Sequence, residues 1–232
     1  THEKWWNGKR SLFFSSTKYQ EKRPVPLIPL KGSEKIRVII ALNKWSQSSN
    51  LYAYEVETNL QDYIGIVRFN PNGAELVDFF ERTSRYDYYW VGNDKLAYIG
   101  YEEGEGSSIF IRDYSRSEVK TIRTSVKTDN FKASKNGTFI FTRRVKSKVG
   151  RGYKELFIGD INDVESNRVK RIIKKIKIIN YTLSPNGKNA LLYLPNSDYK
   201  INDPLAVMSV LVNLESSEII HKFNNTLDHV EW

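Results

Sequence analysis

The segment "INYTLSPNGKNALLYLP", residues 179–195, decides how the chain is read. Two short runs of alternating apolar residues flank Ser184-Pro185-Asn186-Gly187. Alternation with period two marks a half-buried strand, and an Asn-Gly pair between two such runs marks a hairpin. Asn and Gly adopt positive φ at low cost while Pro185 presets the entry to the loop, so both Asn186 and Gly187 are expected in that region.

The same signal recurs. "KWWNGKRSLFFSS" turns at Asn7-Gly8, "YDYYWVGNDKLAYIGY" at Asn93-Asp94 and "NFKASKNGTFIFTRR" at Asn136-Gly137. The last three turns begin 43 and 50 residues apart, and Gly8 to Asn93 spans 85, about twice that pitch. A further unit is therefore expected near position 50, where "IRVIIALNKWSQSSNLYAYEVE" offers Ser46 to Asn50 as its loop. In that unit "LYAYEVETN" reads equally well as a third strand, and "VRFNPNGAELVDFF" as a hairpin of its own. Each later hairpin is followed by a third strand ("IFIRDYSRSE", "LFIGDINDVE", "MSVLVNLESSE") and a fourth ("VKTIRTSV", "VKRIIKKI", "IIHKF").

A four-stranded unit of this length cannot cover both its faces alone, so copies must stack; sheets repeated around an axis form a β-propeller. The 14 Tyr, 11 Phe and 5 Trp, with frequent β-branched residues, agree with an all-β chain. Turns near 8, 49, 93, 136 and 186 give five blades of four antiparallel strands in a single domain, 1–232, with six blades or a partial propeller as the alternatives. The closing "DHVEW" reads as a first strand; placed ahead of Asn7-Gly8 it would close the ring and remove an exposed edge.

"LSPNGKNALLYL", residues 183–194, resembles the TolB-like propeller repeat, whose first strand ends in Ser-Pro-Asp-Gly-Lys; Asn186 stands where that motif has Asp. "KASKNGTFIF" and "WWNGKRSLFF" keep the Asn-Gly turn and its flanks. The resemblance implies a non-catalytic interaction domain with a protein partner, working outside the cytoplasm as many members of that group do.

Composition narrows the chemistry. No cysteine means no disulfide, thiolate metal site or Cys nucleophile. No stretch approaches the ~20 apolar residues of a transmembrane helix, and the charged start Thr1-His2-Glu3-Lys4 does not read as a signal peptide. There is no nucleophile elbow, zinc-protease motif, P-loop or dinucleotide fingerprint, and His2, His221 and His229 are the only histidines. No catalytic residue, metal or cofactor is assigned. Carboxylates lining a propeller channel could still serve glycoside chemistry, which makes a carbohydrate-active enzyme an alternative reading. The visible acids are Glu102, Glu103 and Glu105 in one loop, and Asp113 and Asp160 at equivalent places in their units; such recurrence points to turn capping.

Charge is the clearest functional signal. The net charge is +9, and residues 143–177 carry twelve Lys or Arg against four acids, so the remainder is nearly neutral. "RRVKSKVGRGYK", residues 143–154, supplies Arg143, Arg144, Lys146, Lys148, Arg151 and Lys154 with Tyr153 available to stack; "RVKRIIKKIKII" follows with Lys170, Arg171 and Lys174. Such a field attracts nucleic acid, anionic lipid or another acidic polymer in a salt-dependent way. The plainer reading is that lysines on an outer strand discourage edge-to-edge pairing. Two weaker motifs complete the survey. "KRPVPLIPLK", residues 22–31, fits a polyproline ligand through Arg23, Pro26 and Pro29 but more simply stiffens a connection, and the N-x-S/T triplets at Asn136, Asn180 and Asn224 are expected by chance in so Asn-rich a chain.

Overall fold

In the computed structural model of the chain the described residues are 2–6, 9–15, 22–40, 45–46, 50–82, 88–92, 94–102, 106–116, 120–144, 153–163, 169–196 and 207–223. Every regular element among them is a strand, and no helix is present to cross a membrane. The first sheet holds β1 (His2–Trp6), β2 (Lys9–Ser15) and β3 (Lys22–Val25). The second holds β4 (Ile36–Ile40), β5 (Leu51–Thr58), β6 (Asp62–Asn70) and β7 (Gly73–Glu81). The third holds β8 (Tyr89–Val91), β9 (Lys95–Glu102), β10 (Gly106–Asp113) and β11 (Lys120–Lys127). The fourth holds β12 (Asn130–Ala133), β13 (Thr138–Arg144), β14 (Tyr153–Asp160) and β15 (Val169–Lys177). The fifth holds β16 (Asn180–Leu183), β17 (Asn189–Pro195), β18 (Val207–Asn213) and β19 (Ile219–Phe223). Neighbours in sequence are neighbours in each sheet, as the meander reading requires.

The second unit is resolved in favour of the Ser46–Asn50 loop. "LYAYEVET" is its second strand, and the "FNPNGA" turn joins its third and fourth. Asn7-Gly8, Asn93 and "DHVEW" lie outside the described residues. The proline segment is partly strand: Pro24 sits opposite Phe13 in β3, an outer strand of the first sheet, the kind of position where proline is tolerated. The segment is also packed inward, with Val25 and Ile28 buried and the Tyr54 hydroxyl donating to the Pro26 carbonyl at 2.9 Å.

The chain divides into two compact units. The first comprises 1–85 with 93–95 and 113–119; the second comprises 86–92, 96–112 and 120–232. In the first, Val25 and Ile28 pack with Ile39, Tyr52, Tyr54, Val56, Tyr63 and Val67. In the second, each sheet covers its neighbour. Val91, Ala97, Ile99, Ile109 and Ile111 meet the phenylalanine face of the fourth sheet, Phe131, Phe139, Phe141 and Phe157. The opposite face of that sheet, with Ile140 and Leu156, meets Tyr181, Ala190, Leu192, Val210 and Val212 of the fifth. Burial on both faces explains why these strands read as nearly continuous apolar runs.

The deciding turn has a simpler backbone than the sequence suggests. Gly137 and Gly187 have positive φ (101° and 67°), but Asn136 and Asn186 do not; Asp94 and Ser217 are the non-glycine positions with positive φ among the described residues. Gly137 and Gly187 donate to the Ser134 and Ser184 carbonyls at 3.1 and 2.9 Å. These are type I turns closed by a left-handed glycine, and Pro185 occupies the position where its fixed φ is favoured. Asn acts through its side chain instead: Oδ1 of Asn136 accepts the Thr138 N–H at 3.2 Å, and Oδ1 of Asn186 accepts the Lys188 N–H at 3.0 Å. The turns also touch, with Asn136 Nδ2 donating to the Asn186 carbonyl at 2.8 Å.

A candidate anion-binding face on the fourth sheet

The basic segment is carried by β13, β14 and β15, and their register decides which charges share a face. Arg143 pairs with Glu155, Phe157 with Arg171, and Tyr153 with Lys177. Two irregularities in the β14–β15 pairing put extra residues into β15, between the partners of Lys154 and Leu156 and again between those of Leu156 and Phe157. Each extra residue reverses the alternation. The bulges thus let Ile172, Ile173 and Ile176 all pack toward the fifth sheet while Lys170, Arg171, Lys174, Lys175 and Lys177 stay exposed.

On the phenylalanine face, beyond the core, the cations rest on rings. The Arg143 guanidinium lies 4.7 Å from the Phe157 centroid and 5.4 Å from that of Phe141, and the two rings stack at 5.0 Å and 7°. Lys175 Nζ and Lys177 Nζ lie 4.4 and 5.3 Å from the Tyr153 centroid. Arg171 Nη1 donates to Glu155 Oε1 at 2.6 Å. Cation–π contacts of this kind are worth about 0.5–1 kcal/mol at exposed sites, enough to position a side chain though not to neutralise it. The half-exposed Arg171–Glu155 pair stabilises the fold little and chiefly fixes the guanidinium.

The other expected residues go elsewhere. Arg144, 84% exposed, is 3.4 Å from the Asp129 carboxylate. Lys170 Nζ donates to the Glu215 carbonyl at 3.1 Å, Lys154 pairs across from Ile176, and Lys174 is exposed. Lys146, Lys148 and Arg151 lie outside the described residues. Lys175 and Lys177 were missing from the sequence-derived set. The signal for them was the adjacent Ile172-Ile173 doublet, which a regular alternating strand would not carry on one face.

The recurrent acids cap turns. Asp113 Oδ1 accepts the Ser115 N–H at 3.0 Å and its hydroxyl at 2.5 Å; Asp160 Oδ1 accepts the Asn162 N–H at 2.7 Å. In the fifth sheet Asn213 does the same for Glu215 and Ser216, at 2.9 and 3.0 Å. Glu103 and Glu105, and the side chain of Glu102, lie outside the described residues. His221 is exposed with its ring 4.4 Å from Phe223, and no metal-ligand cluster occurs among the described residues.

Successive four-stranded antiparallel sheets, with no helix among the described residues, define a β-propeller protein. No family model matches the chain, and no curated protein does. Among solved structures it is similar to the β-propeller domain of the trilobed protease from Pyrococcus furiosus (TM-score 0.59, 14% identity, 94% of this chain and 65% of that one). It is also similar to an uncharacterized protein of Listeria monocytogenes (0.58, 14%, 95% and 60%) and to TolB of Acinetobacter baumannii (0.49, 17%, 90% and 48%). The likeness to these structures, among them a β-propeller domain, concerns the fold alone. This chain spans about half to two thirds of their lengths.

Proposed function

We propose that this chain is a non-catalytic interaction module that meets an anionic polymer through the outer half of its fourth sheet. One observation carries the reading: Arg143, Arg171, Lys175 and Lys177 share a face, and the carboxylate of Glu155 among them is already engaged by Arg171. A field of one sign concentrated on a firm sheet raises the local concentration of an opposite charge. Edge protection alone accounts for Lys174, because a lysine that merely blunts an edge needs no fixed position, and Lys170 is held by the Glu215 carbonyl. It does not account for three cations seated on aromatic rings.

The test is binding of a labelled single-stranded oligonucleotide, read by anisotropy, beside sedimentation with vesicles containing anionic lipid. The variant carrying Arg143→Ala, Arg171→Ala, Lys175→Ala and Lys177→Ala should bind the oligonucleotide markedly more weakly, whereas Lys222→Ala in the fifth sheet should bind as the unaltered chain does. Equal binding by the fourfold variant, or retention only by vesicles, would refute the polymer reading.

A further inference from the structure

A second site lies in the first unit and does not depend on the basic face. Three sheets end their third strand alike: an Asp or Asn caps an Asx turn, and the residue directly after it, inside that turn, sends its N–H to the inner turn of the same sheet. Tyr114 donates to the Asp94 carbonyl, Ile161 to that of Gly137 and Leu214 to that of Lys188, each at 2.9 Å. In the fourth and fifth sheets this residue is an aliphatic plug, and both plugs are buried. In the third it is Tyr114, whose hydroxyl donates to Asp78 Oδ2 on β7 at 2.7 Å and whose carbonyl accepts from Arg68 Nη2 at 3.4 Å. A polar bridge therefore stands where the repeat otherwise places hydrocarbon. Departures of this kind from an internal pattern are where function is expected.

Beside the bridge is a cavity of about 290 Å³ lined by Asn50, Arg68, Asp94, Tyr114, Ser115 and Arg116. That is near the lower end of the size range of small-molecule sites. Arg68 is held by Tyr114 and, at 3.6 Å, by Glu75, two long contacts that leave most of its five N–H donors for a ligand. Arg116 is exposed and makes no hydrogen bond or ion pair with another described residue. Asp94, fixed in a left-handed turn with φ 57°, contributes a carboxylate to the same wall.

We propose that this cavity binds a small hydroxyl-bearing anion, its carboxylate or phosphate between Arg68 and Arg116 and a hydroxyl donated to Asp94. The two cations match a single acidic head group, and the Asp94 carboxylate beside them favours a donor on the body of the ligand. Calorimetric titration of the full chain with inorganic phosphate, D-gluconate and neutral sorbitol tests this. One or both anions should bind while sorbitol does not, and the tighter anion identifies the head group. Arg116→Ala, at an exposed position that leaves the fold intact, should weaken binding about tenfold, as loss of a charge-assisted hydrogen bond does. Asp94→Asn, which tolerates the same backbone, should weaken gluconate and spare phosphate. The fourfold variant of the basic face should bind as the unaltered chain does, separating the two sites. Absence of binding by both anions, equal binding of sorbitol, or no effect of Arg116→Ala would overturn the assignment.

Discussion

The fourth and fifth sheets share an inner half and differ in the outer one. Both open on an Asn whose Oδ1 accepts the next N–H, Asn130 at 2.7 Å and Asn180 at 2.9 Å. Both then turn at Ser-x-Asn-Gly, and both third strands end in an Asx turn and a buried aliphatic plug. The outer strands have little in common. β15 runs nine residues with two bulges and five exposed cations, whereas β19 runs five residues with one bulge, one lysine and exposed Ile219 and Ile220. Turn and plug residues answer to a backbone geometry that these two sheets share. The outer strand has no such constraint, so its chemistry is free to serve a partner.

The largest expected effects test whether the two sheets are equally embedded. Phe141 and Leu192 hold equivalent positions, opposite Phe157 and Val210, and both are buried. Phe141→Ala should cost about 3–5 kcal/mol and Leu192→Ala about 2–5 kcal/mol in urea unfolding. A cost for Leu192→Ala below about 1 kcal/mol would mean that the fifth sheet is not packed as the fourth is. A smaller effect separates them. Phe139 lies over Gly159, where an added Cβ would come within 2.5 Å of the ring, while the equivalent pair in the fifth sheet is Ala190 with Val212. Gly159→Ala should therefore destabilise by about 1–3 kcal/mol through overpacking. An unaffected midpoint would show that the ring moves aside freely.

The smallest effect concerns the capping turns. Burial raises the Asp113 carboxyl, but hydrogen bonds from Ser115 and the charges of Lys95 and Arg116 outweigh it and hold the group below its ordinary value of 3.8. Its contribution to stability is complete above that value and is lost as pH falls through the lower, folded-state one. Asp113→Asn should flatten the acid limb of the stability curve, making this turn behave like the one capped by Asn213. An unchanged acid limb would remove Asp113 from the titrating set.

The turns at Asn136-Gly137 and Asn186-Gly187 and the strand order were legible in the sequence because both are local. The role of Asn136 and Asn186 was half legible: the pair was recognised, but the asparagine works through its side-chain oxygen rather than its φ. Pairs such as Tyr54 with Gly65, where an added Cβ would fall 2.4 Å from the ring, depend on cross-strand register. The basic segment was visible as charge. Its division into faces was not, because two bulges in β15 decide it, and the cavity beside Tyr114 draws on residues from two sheets that no linear pattern brings together.

The salt dependence of oligonucleotide binding tests the central claim most directly. If Arg143, Arg171, Lys175 and Lys177 contact the polymer, the fourfold alanine variant should give a plot of log affinity against log salt that is shallower by roughly 0.7 for each cation removed, about 3 in all. An unchanged slope would place the contact elsewhere and leave those cations as edge protection.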